Sequence, residues 1–95
     1  MTTLALKGKT PDILRIARSH GVSRVRVFGS HAVGRARRTS DVDLLVTLEA
    51  DRDLLDLIGF KLDLQDLLGC EVDVVTEKGL SPYFRSTILR TAKPL

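Results

Sequence analysis

The sequence predicts an α/β (α+β) fold: a small mixed β-sheet packed with helices, in the order α-β-α-β-α-β-α. Three observations predict it. Apolar runs with helical spacing alternate with short Val- and Leu-rich runs, and each strand-like run spans only about five or six residues. A length of 95 residues holds one core and leaves no room for a second, so residues 1–95 read as a single domain. The 43% hydrophobic and 28% charged content, without repeat or low-complexity tract, excludes a disordered or fibrous chain.

The elements follow in order. "KTPDILRIARSHG" places Thr10 at a helix N-cap and Pro11 at the first helical position, sets Ile13, Ile16 and Ala17 on one side, and stops at Gly21. "SRVRVFG" alternates Val25 and Val27 with Arg24 and Arg26, as a half-buried strand does. Ser30 can cap a short helix, "HAVG". A central strand is expected from Val42 to Leu48, and the short Val27-to-Val42 link permits antiparallel pairing with the strand before it. "DRDLLDLIGFKLDLQDLLG" then reads as a helix with a wide apolar stripe, acidic residues in its first turn and Gly69 as its stop. "CEVDVVTE" is a further short strand, and "SPYFRSTILRTA" a last helix with Ser81 as N-cap and Pro82 at N1. Tyr83, Phe84, Ile88 and Leu89 share helical spacing there, which suits core packing better than an interface.

Charge and cysteine content narrow the function classes. The net charge of +3 is modest, yet Arg35, Arg37 and Arg38 crowd four positions with Arg24 and Arg26 close by, a pattern that suits a local anionic ligand. Direct nucleic-acid binding by "GRARR" is the weaker reading, because one tyrosine and three phenylalanines leave little for base stacking. Cys70 is the one cysteine, so an internal disulfide is excluded, and it is expected as a small buried residue. No apolar run approaches the roughly 18 residues of a membrane span, and the N-terminus lacks a sustained apolar core, so a cytoplasmic protein with no membrane partner is expected.

The chemistry concentrates in "VFGSHAVGRARRTSDVDLLV". Side chains alternate along a strand, so Asp41 and Asp43 point to one side, about 6 to 7 Å apart at the backbone, while Val42 and Leu44 enter the core. Two carboxylates held this way suit Mg²⁺, a hard cation that takes oxygen ligands and shares its shell with substrate phosphates. "EVDVV" repeats the pattern with Asp73, which completes a three-carboxylate cluster if its strand pairs with the first. Gly29 lets the backbone approach a phosphate closely, and Ser30 offers a hydroxyl at a helix N-terminus. Arg35, Arg37 and Arg38 can neutralise phosphate oxygens or solvate a loop. His31, beside the turn, and His20, before Gly21, read as a surface residue and a helix C-terminal residue.

Gly29-Ser30, ten intervening residues and Asp41-Val42-Asp43 resemble the nucleotidyltransferase signature of the DNA polymerase beta-like superfamily. The short length is similar to its minimal nucleotidyltransferase branch, the MntA-like antitoxins of HEPN/MNT toxin-antitoxin systems. One departure is local: the family often carries an alanine-arginine-glycine run after Gly-Ser, where this chain has "HAVGRARR". The resemblance implies catalytic, metal-binding carboxylates at Asp41, Asp43 and Asp73, and nucleotide contacts at Gly29, Ser30, Arg35 and Ser40. It further implies two Mg²⁺ ions and ATP as substrate, with AMP passing to a hydroxyl of a HEPN toxin, a tyrosine first among candidates, in a homo- or hetero-oligomeric setting. The alternative is a non-catalytic antitoxin that neutralises its partner by complex formation.

Overall fold

The computed structural model describes residues 8–29 and 42–95. Along the chain these form α1 (Thr10–Ser19), β1 (Val22–Phe28), β2 (Val42–Leu48), α2 (Leu54–Leu68), β3 (Val72–Thr76), a 3₁₀ turn (Glu77–Gly79), α3 (Pro82–Thr91) and β4 (Lys93–Pro94). The short helix expected at "HAVG" lies outside the described residues. The mixed α/β architecture is otherwise the expected one, with a fourth strand added.

The sheet order is β3-β2-β1-β4. β1 runs antiparallel to β2, which places Phe28 opposite Asp43, and β2 runs parallel to β3, which places Asp43 opposite Asp73. A βα crossover through α2 makes the parallel pair possible. β4 adds antiparallel to β1 through Arg26–Pro94 and Val27–Lys93, and the Leu95 N–H donates to the Val25 carbonyl at 3.2 Å. Two residues ending in proline carry no strand signal in the sequence, yet proline is tolerated on an edge strand, where its missing N–H costs no ladder bond.

Alternation assigns the two faces of the sheet. Val25 and Val27 of β1, Val42, Leu44 and Val46 of β2, and Val72 of β3 face one way and are buried with Ile13 and Ala17 of α1 and Phe60 and Leu64 of α2. Asp43, Leu45 and Asp73 face the other way. The helices α1 and α2 therefore cover the side of the sheet opposite the two aspartates.

Local signals set the helix ends. The N-cap of α1 is Lys9, one residue before the expected Thr10, which is already helical, and it makes no side-chain cap bond because an ammonium has no acceptor to offer the first N–H groups. Asp53 caps α2 by accepting from the Leu55 and Asp56 N–H groups, while Asp56 reaches back to the Asp53 N–H at 3.2 Å. Gly69 closes α2 in the left-handed region at φ 69°. Ser81 caps α3 as expected, accepting from the Tyr83 N–H at 3.4 Å.

Two expectations about packing are corrected. Tyr83 and Phe84 do not enter the core: they are 91% and 63% exposed, and α3 buries no residue. A charged contact holds that helix instead, with Arg85 Nη1 donating to the Glu77 carbonyl at 2.8 Å. The apolar stripe of α2 likewise exceeds what the sheet can cover, and Leu54, Leu55, Ile58 and Leu62 stay exposed. Cys70 is half-buried against the core rim.

Candidate active site

The site is built where three strands bring one row of residues into line. Phe28, Asp43 and Asp73 are successive partners across β1, β2 and β3, and adjacent strands lie about 4.8 Å apart. Asp43 is half-buried and Asp73 exposed, so the row runs outward from the sheet centre to its β3 edge. Because β2 and β3 are parallel and in register, the two carboxylates stand side by side on the face that α1 and α2 leave uncovered. This is the pairing that the sequence left conditional.

Gly29 follows β1 directly and turns the chain at φ +72°, a conformation that favours glycine. A Cβ at this position would collide with Oδ2 of Asp43. The turn backbone thus rests against the carboxylate in space that only a hydrogen can share. Glycine at the β1 end is a condition of the site geometry as well as of the turn.

Of the other expected site residues, Ser30, Arg35, Ser40 and Asp41 lie outside the described residues, as do His31, Gly34, Arg37 and Arg38. Among the described residues no cluster of three or more His, Cys, Asp or Glu forms. Asp43 and Asp73 offer only oxygen donors, the set that a hard divalent cation takes. The residues present fit Mg²⁺.

Arg26 leaves the group of arginines expected to meet an anion. Its side chain is buried one row below Asp43 and donates from Nη2 to Glu77 Oε1 at 2.5 Å, while Arg85 approaches the other Glu77 oxygen at 3.8 Å. The Arg26 hydrogen bond, with the nearby charges of Arg26, Arg85 and Arg24, holds the Glu77 carboxyl below the ordinary glutamate range despite some opposing desolvation. This network ties β1, the 3₁₀ turn and α3 together behind the carboxylate row. Nothing in the strand alternation of "SRVRVFG" signals it, because the partner sits 51 positions later.

A cavity of about 460 Å³ opens at the opposite end of β2 and β3, lined by residues that include Thr47, Arg52, Thr76 and Glu77. The register places Val46 opposite Thr76 there, three residues along from the aspartates. That distance, about 10 Å along a strand, separates the cavity from the carboxylate pair. His20 also stands apart, its Nε2 2.6 Å from Asp63 Oδ2 and its ring edge-on to Phe60, as a helix-terminal residue joining α1 to α2.

With the paired carboxylates and glycine turn in place, comparison with known proteins is decisive: residues 11–94 match the nucleotidyltransferase domain. The chain belongs to that family. This nucleotidyltransferase is 41% identical over 80 residues to a protein of Methanocaldococcus jannaschii provisionally named a protein adenylyltransferase, covering 84% of this chain and 86% of the relative. A solved structure provisionally described as a minimal nucleotidyltransferase superposes with a TM-score of 0.86 at 48% identity, covering 100% of this chain and 97% of the other. The fold is shared with the solved complex of a tri-AMPylated Shewanella oneidensis HEPN toxin and its MNT antitoxin, at a TM-score of 0.68 and 18% identity over 93% of this chain and 69% of the matched one.

Proposed function

We propose that this nucleotidyltransferase transfers AMP from ATP to a hydroxyl of a HEPN-domain toxin, a tyrosine first among candidates, and so acts as its antitoxin. The observation that carries the reading is the in-register pair Asp43 and Asp73 beside the Gly29 turn. Likeness to a provisional protein adenylyltransferase and a fold shared with the antitoxin of an AMPylated HEPN toxin support the acceptor class.

In this reading Asp41, Asp43 and Asp73 would hold two Mg²⁺ ions, and Gly29, Ser30, Arg35 and Ser40 would receive the triphosphate. The bound cations would lower the pKa of the acceptor hydroxyl and neutralise the charge of the triphosphate. The acceptor oxygen forms a bond to the α-phosphorus as the bond from that phosphorus to the bridging oxygen breaks, and pyrophosphate leaves with the electron pair. In this reading Asp73, the more exposed of the pair, takes the acceptor proton. Gly29 keeps the turn backbone close enough for N–H donation to phosphate oxygens. Among the described residues no helix is long and apolar enough to cross a membrane; the cytoplasm as the place of the reaction belongs to this reading.

A second reading, neutralisation by binding without chemistry, draws on the exposed apolar face of α2. Intact mass separates the two. The protein is mixed with a HEPN-domain partner and MgATP, beside an Asp41→Asn/Asp43→Asn control; a partner shifted by whole AMP units only with the native aspartates is the expected result. An unshifted partner in a stable complex would leave binding as the function.

A further inference from the structure

α2 carries an apolar face that the other described residues leave exposed. Leu54, Leu55, Ile58 and Leu62 are 67%, 75%, 43% and 55% exposed, and their spacing places them along one outer strip, opposite the buried Phe60 and Leu64. Scattered single exposed leucines are ordinary, whereas leucines grouped on one helix face are the kind of feature that marks an interaction surface.

The charge around the strip identifies what fits. Residues 51–71 contain six acids against two bases, a local −4 in a chain whose total is +3. Arg52 is engaged by Asp56 at 3.3 Å, Asp53 caps the helix and Asp63 meets His20, so the charges left on α2 and at its two ends are exposed Asp51, Asp66 and Glu71 against Lys61. A second copy docked through the same face would bring two acidic rims together, and an anionic lipid surface would meet the same repulsion. A partner with lysines or arginines flanking an apolar ridge would gain from both features.

We infer that the outer face of α2 docks a basic-rimmed apolar helix of a partner protein, on the side of the sheet opposite the Asp43–Asp73 pair. The inference rests on the proposed partner-directed function and adds the place of contact. Docking and transfer then occupy opposite faces of the sheet. A partner held on α2 presents its acceptor to the carboxylates only by reaching around the sheet edge or from another copy in the assembly.

The test uses the full chain without nucleotide. Two synthetic helical peptides share leucines at four-residue spacing, one flanked by lysines and one by glutamates, and each is titrated into isotope-labelled protein while backbone amide resonances are followed. The lysine peptide is expected to shift resonances across Leu54–Leu62, the glutamate peptide to leave them unmoved, and Leu55→Gln/Leu62→Gln to weaken the lysine peptide at least tenfold. Ile58→Gln serves as a second, single-site variant with the same direction of effect. Shifts confined to another surface, equal binding of both peptides, or unchanged affinity in the variants would overturn the inference. So would concentration-dependent shifts at Leu54–Leu62 without peptide, which would assign the face to a second copy. Because nucleotide is absent, this result stands or falls separately from AMP transfer to a HEPN partner.

Discussion

At the scale of single residues, Gly29 is where backbone conformation and chemistry meet. Alanine there meets two penalties at once: a left-handed φ of +72° and a Cβ driven into the Asp43 carboxylate. The backbone strain costs about 1 to 2 kcal/mol, which a folded domain of this size survives. Displacing a carboxylate by about 1 Å can cost on the order of 100-fold in rate. Gly29→Ala is therefore expected to melt somewhat lower yet lose AMP transfer about 100-fold or more, read by thermal unfolding beside a transfer assay. A loss of stability with full activity would show that Asp43 does not depend on the turn. That Asp43 and Asp73 each stand on the polar face of a strand was legible in the sequence, because each interrupts a valine-rich run of period two, but their pairing stayed conditional until the parallel register of β2 and β3 set it. The close approach of Gly29 to Asp43 was not legible as a contact, since it depends on how the turn leaves β1.

The elements are joined by polar contacts that follow a different logic from the core. Arg26 is buried and Glu77 is 40% exposed at the side chain, so the two partners of one ion pair face unequal consequences when the other is removed. Glu77→Ala leaves a buried guanidinium without its carboxylate, whereas Arg26→Met fills the space with apolar volume and lets Glu77 hydrate. Glu77→Ala is expected to be the more destabilising, in a comparison of denaturant midpoints. The pair also sets a pH response. Its folded carboxyl is held below the ordinary glutamate range, first by the Arg26 hydrogen bond, so the charged form is favoured by folding. The resulting stability is present above the unfolded glutamate value and is lost as pH falls through the lowered folded one. Glu77→Gln should flatten that acid limb as pH falls below the ordinary glutamate range, and an unchanged limb would assign it to other carboxylates. At the N-terminus of α2, Asp53→Ala removes the cap and is expected to cost about 1 kcal/mol by the same denaturant measurement. Local sequence suffices for α2, α3, β2 and β3, though it read the acids at the start of α2 as first-turn residues and not as a cap. Local sequence is silent on β4, whose pairing depends on the distant edge of β1, and on the Arg26–Glu77 contact, which reads as strand alternation until the chain folds.

At the scale of the whole molecule, the described residues form a four-stranded sheet with helices α1 and α2 on one face and the carboxylate pair on the other, and stability rests on a small set of buried side chains. A domain of 95 residues has about 5 to 14 kcal/mol in total, so one core residue can carry a large fraction of it. α2 offers an internal comparison, because one helix presents both a buried and an exposed apolar face. Phe60 is fully buried and meets the His20 ring edge-on at 6.5 Å, and Phe60→Ala should cost about 3 to 5 kcal/mol through lost transfer energy and a residual cavity. At this size that lowers Tm by about 12 °C or more. Leu55→Gln/Leu62→Gln changes side chains more than half exposed, and each surface substitution of that kind costs about 0.5 kcal/mol or less. The period of apolar residues along α2 cannot distinguish the two faces, since leucine marks both and the sheet covers one of them. Thermal unfolding of the two variants makes the distinction. A large drop for Phe60→Ala with little change for the double glutamine variant is the expected outcome, and it would locate the stability of the fold on the sheet side of α2. If the glutamine variant fell as far, the outer leucines would be packed in solution, and their surface would belong to the core of a larger assembly.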